Sequence, residues 1–77
     1  MSVKYDYSYL RGFIREHFGS NEHYARFLGI STTALYSRLA CNVPFRQNEI
    51  DATAKFGNLS GNDIMRFFFT KRIRKSV

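Results

Sequence analysis

The chain has 77 residues, room for one domain, which would bury only about 60% of its unfolded surface. Apolar residues make up 44% of it and aromatics 17%, which excludes a disordered chain and supplies a core. A net charge of +6 points to an anionic partner, nucleic acid being the usual one; the single Cys excludes an internal disulfide, and no apolar run approaches the roughly 20 residues that span a bilayer. The first nine residues are polar and unlike a secretory signal, so a cytoplasmic protein is expected.

A cap at Asp6 or Ser8 opens a first helix that runs to about residue 18. Leu10, Phe13, Ile14, His17 and Phe18 recur on one face of it, with Arg11, Arg15 and Glu16 on the other. His17, on the apolar side, is expected to be a core histidine. Gly19 stops this helix, and Ser20 or Asn21 starts the next.

The stretch from Asn21 to Leu39, NEHYARFLGISTTALYSRL, reads as a helix-turn-helix. Ala25 is small where the second helix of the motif must approach. Gly29 follows the last apolar residue, where a left-handed cap is needed. Ser31 stands as the N-cap of a third helix over residues 32–40. Tyr24, Leu28, Ile30, Leu35 and Leu39 fall where two helices so joined share a core.

CNVPF, residues 41–45, reads as a loop. Pro44 forbids helix and biases Val43 to an extended conformation, Asn42 suits a left-handed cap, and Val43 and Phe45 are expected to turn inward. A fourth helix spans residues 47–56, with Ile50, Thr53 and Ala54 inward and Phe56 a further candidate; Gly57 and Asn58 end it. Ser60 and Asp63 form a capping box for a fifth helix through Ile64, Met65, Phe67 and Phe68. From Phe69 the pattern turns extended or disordered. The division predicted is a helix-turn-helix domain over residues 1–70 and a basic tail over 71–77, where Lys71, Arg72, Arg74 and Lys75 gather. That tail serves either phosphate contact or solubility.

Five short helices with the helix-turn-helix as the second and third resemble the phage repressor and Cro class of DNA-binding proteins. The opening KYDYSYLRGFIREHFGS, the loop NVPF followed by residues 47–51, QNEID, and the ending FFFTKRIRKS more closely resemble a group of short phage proteins of that class. These are Cro-like regulators of temperate phages of Gram-positive bacteria. One kind, the modulator of repression, acts on the phage repressor itself. The resemblance implies an all-α, compact five-helix repressor-like fold. It implies operator DNA as the partner, or alternatively the repressor's DNA-binding domain, and leaves a homodimer open. Carried over by position, Thr32, Thr33, Tyr36 and Ser37 face the bases and Arg38 faces the DNA backbone. Asn21 stands where a phosphate-binding Gln is usual. Cys41 and Asn42 replace a common Gly, and Arg46 replaces a common Ser or Thr cap, placing a cation near a phosphate.

The chemistry of that surface is weakly selective. Ser and Thr hydroxyls bond to several bases, and none of these residues gives the bidentate reading of Arg on guanine or Asn and Gln on adenine. A protein-binding role therefore competes, with Tyr36 and Phe27 as aromatic anchors. An enzyme is not expected. His17 and His23 lack neighbours at metal-ligand spacing, Cys41 has no nearby His, and there is no Gly-rich phosphate loop or cofactor pattern. Residues 67–69 followed by basic residues could hold a membrane surface, but Ile64, Phe67 and Phe68 already serve a helical core.

Overall fold

The polypeptide enters α1 (Ser8–His17) through Tyr7, which takes the N-cap position without a side-chain cap. Asp6 sits one residue earlier, and its carboxylate accepts from the Ser8 amide at 2.9 Å and from the Ser8 hydroxyl. The expected cap thus acts from outside the helix, because Tyr7 is buried and its ring packs edge-on against Phe45, 5.3 Å between centroids. The structure, a computed structural model, describes residues 4–71.

The other helices follow as α2 (Asn21–Leu28), α3 (Thr32–Leu39), α4 (Gln47–Gly57) and α5 (Gly61–Phe68). This is an all-α domain of five helices, as the periodicity predicts. Ser20 caps α2 by accepting from the His23 amide (3.3 Å), and Ser31 caps α3 by accepting from the Ala34 amide (3.0 Å). Between them Gly29 takes φ 76°. Its N–H reaches the Arg26 carbonyl at 3.1 Å, and the Ile30 N–H reaches Ala25 at 3.0 Å, so α2's last carbonyls are satisfied within the turn. Ser60 and Asp63 make the predicted reciprocal box at α5, each bond 3.2 Å.

α1 packs on α2 and α5, α2 on α3, and α4 on α5. The core gathers Tyr7, Leu10, Ile14, Tyr24, Ala25, Leu35, Leu39 and Phe68, with Leu28, Ile30, Phe45 and Ile50 half-buried against it. Ala25 is 1% exposed, so α3 closes directly over it. Gly57 is the last residue of α4 and Asn58 its left-handed C-cap at φ 51°, as expected. Gly57 is needed for space: a Cβ there would lie 2.9 Å from the Phe13 ring.

Several side chains are placed differently from expectation. His17 is not a core residue; its side chain is 43% exposed and its ring lies on Phe13 at 4.5 Å. Val43 and Phe56 are also largely exposed. Of the two loop residues only Phe45 turns inward, its ring edge-on to both Tyr7 and Phe68. After α3 the left-handed position falls on Cys41 (φ 65°), not Asn42. The Asn42 N–H reaches Ser37 and the Cys41 N–H reaches Arg38, so the cap closes one residue earlier than Asn42 suggests. Finally comes Lys71, the first residue of the basic stretch. It forms an antiparallel bridge with Tyr5, and the Asp6 N–H bonds the Thr70 carbonyl at 2.7 Å.

Candidate nucleic-acid interface

The candidate interface is built on α3. At about 100° per residue, Thr32, Thr33, Tyr36 and Ser37 lie within one face about 140° wide. Leu35 and Leu39 are buried just past its Thr32 edge. Thr33 and Tyr36 are exposed, Tyr36 at 54%, while Thr32 and Ser37 are half-buried. The face therefore offers three hydroxyls, one phenol and no charge.

Arg38 was expected on the DNA backbone, and the structure turns it inward. It is 5% exposed, and its Nε donates to Glu49 Oε1 at 2.8 Å; Nη1 donates to the Ala34 carbonyl at 3.1 Å. Glu49 is 2% exposed and also accepts from the Arg46 amide at 2.9 Å. A carboxylate buried this deeply requires a cation beside it, and Arg38 is in reach only from the inner side of α3. The same pairing resolves the poor cap at α4. Arg46 occupies the N-cap position, but a guanidinium has no acceptor, so Glu49 reaches back to satisfy the backbone instead. The Arg46 side chain is left exposed beside the start of α4.

The polar seam continues inward. Thr53 donates to the Glu49 carbonyl at 3.0 Å and shares a 2.6 Å hydrogen bond with the Tyr24 hydroxyl on α2. Burial pushes the Tyr24 phenol up to about 12; Thr53's hydrogen bond opposes the rise and the Glu49 carboxylate adds to it. Among the described residues no buried side-chain polar atom lacks a partner.

Asn21 opens α2, half-buried, and lines a polar cleft of about 190 Å³ together with Ser20, Gly19, Arg11 and Arg15. The two arginines stand one turn apart on α1 and face the amino end of α2, where backbone N–H groups and the helix dipole favour an anion. Sequence reading assigned them only to α1's outer face. Their i, i+4 spacing was visible, but the turn that aims this face at α2 was not. Lys71 is exposed at the bridge to Tyr5. Arg72, Arg74 and Lys75 lie outside the described residues.

Among the described residues no three His, Cys, Asp or Glu side chains gather as a metal site, and no helix is long and apolar enough to cross a membrane. No curated protein matches the chain. The family model described as Protein of unknown function (DUF739) matches residues 3–71. That span takes in all five helices, the Gly29 turn between α2 and α3 and the Tyr5–Lys71 bridge, and the chain belongs to the DUF739 family.

Proposed function

We propose that this protein is a phage transcriptional regulator of the Cro and repressor class, which lays α3 into operator DNA in the cytoplasm of a bacterial host. The observation that carries the reading is the pairing of two surfaces across the Gly29 turn. α3 turns an uninterrupted hydroxyl face outward, and the amino end of α2 sits in a cleft walled by Arg11 and Arg15. The first would touch base edges and the second a phosphate, so orientation comes from the cleft and sequence preference from Thr32, Thr33, Tyr36 and Ser37. Each hydroxyl contact is worth about 1 kcal/mol, and phosphate contacts dominate affinity.

A second reading draws on the inward turn of Arg38. Without it the exposed face of α3 has no cation, and Tyr36, 54% exposed, is its largest side chain. Such a face suits docking on a repressor's DNA-binding domain, which would make the protein an antirepressor.

An electrophoretic shift on the promoter region beside its gene, with this protein alone, the repressor alone and both together, tests the choice. For the DNA reading, Thr33→Ala weakens specific binding about fivefold and leaves random-sequence binding unchanged. Arg11→Ala and Arg15→Ala each lower the salt slope by about 0.9. No preference for promoter DNA, with repressor displaced and Tyr36→Ala abolishing that displacement, refutes the DNA reading in favour of the second.

A further inference from the structure

A second concavity lies past the carboxyl end of α3. It is a groove of about 330 Å³ between the amino-terminal segment, the 41–45 loop and the end of α5, walled by Tyr5, Val43, Phe45, Ile50 and Phe69. Its walls are braced. Tyr7 meets Phe45 edge-on at 5.3 Å, Phe45 meets Phe68 at 5.2 Å, and Tyr5 meets Phe69 at 6.2 Å. Val43 and Phe69 nonetheless leave about two-fifths of their surface in water, 42% and 41% exposed. The loop residue that should have closed the groove, Val43, stands at its mouth.

Beside the lining residues three cations stand against two acids, Asp6 and Asp51, and Asp51 lies 3.9 Å from Lys55. Lys4 precedes Tyr5, Lys71 is bridged to Tyr5, and Arg46 follows Phe45; all three are exposed. The ion pairs of the described residues involve none of them. The neighbouring acid, Asp6, directs its Oδ1 to the start of α1, where it accepts from Ser8. We propose that this groove docks a large apolar side chain carried on an acidic segment of a partner protein.

The rim selects that occupant. A second copy seated by a two-fold axis would bring three cations against the same three, with Asp6 held by Ser8 and Asp51 beside Lys55. A bilayer surface would need apolar side chains that protrude, whereas these line a hollow. A carboxylate-flanked Leu or Phe satisfies both features: the side chain fills the groove and the acids meet Lys4, Arg46 and Lys71. The inference is independent of whether α3 reads DNA.

Cys41 provides the reporter. It is the single cysteine, half-buried on the groove wall, with its sulfur 3.3 Å from the Tyr5 amide. The probe is a short synthetic peptide of Asp and Glu interspersed with Leu and Phe. Its Lys-for-acid counterpart, an oligothymidine and anionic phosphatidylglycerol vesicles complete the set. The acidic peptide should slow the reaction of Cys41 with a thiol reagent about tenfold and shift the amide resonances of Val43, Phe45 and Phe69. Val43→Asp should weaken that binding about tenfold or more, with the promoter shift unchanged. Lys71→Glu should reverse the preference between the two peptides, and holds the test if Val43→Asp fails to fold. Equal binding of both peptides, no protection by the acidic one, or stronger protection by oligothymidine or vesicles overturns the proposal.

Discussion

α3 is held by two seams of opposite character. Against α2 the contact is apolar and local: Ala25, Leu35 and Leu39 close over one another around the Gly29 turn. Toward α4 it is ionic and ordered, running from Arg38 through Glu49 to Thr53 and Tyr24. The apolar seam is tolerant, because it depends on volume and can relax. The ionic seam is not, because each member leaves another unsatisfied if removed. One brings the two motif helices together, and the other fixes the direction in which α3 presents its hydroxyl face.

The largest effect should come from cutting the ionic seam on one side only. Arg38→Met leaves the Glu49 charge buried with a single backbone donor and should cost about 3–5 kcal/mol in urea unfolding. Adding Glu49→Leu should recover most of that loss. A double variant as unstable as the single one would mean that the two side chains do not act as a unit.

High pH attacks the same seam. The Tyr24 phenol titrates at about 12 in the folded protein against 10 when unfolded. Between these values the unfolded chain has lost the proton that the native state keeps, so stability falls as pH rises, by about 3 kcal/mol for this group once pH passes 12. Tyr7, pushed up to about 12 by burial with Cys41 and Tyr5 adding to it, falls in the same window. The urea midpoint should therefore drop steeply from pH 10 to 11 and less so in Tyr24→Phe. Identical slopes would remove Tyr24 from the account.

The apolar seam should yield less. Ala25→Leu overpacks a site 1% exposed and should cost about 1–3 kcal/mol. Gly29→Val should cost about 1–2 kcal/mol through the backbone alone, since a Cβ there meets nothing within 4 Å. Wild-type melting temperatures for both variants would break the contrast from this side. Smallest is Ser31→Ala, which removes the hydroxyl that caps the Ala34 amide and should cost about 1 kcal/mol in a thermal melt.

The five helices and their bounds were readable residue by residue, because their signals act within a few positions of the backbone. Ser20, Gly29, Ser31 and the Ser60–Asp63 box each satisfy groups two to four residues away. The hydroxyl face was readable for the same reason, since helical spacing alone turns Thr33 at least about 120° away from Leu35 and Leu39. Arg38 was misassigned because its surroundings come from a carboxylate eleven residues away, across a loop.

What the sequence by itself determined is the local hydrogen-bond closure of each helix end and the periodic division of each helix into wet and dry sides. The tertiary structure alone decided which charges leave water, which small residues face a ring, and that Tyr5 meets Lys71. Glu49 draws Arg38 inward and caps α4 in place of Arg46. Phe13 makes Gly57 a spacing residue as well as the end of α4, and Tyr5 bridges Lys71. The physical reason is range. A cap closes a ring of a few atoms along one chain, whereas burial of a charge or the approach of a ring depends on a surface that exists only once the helices have packed.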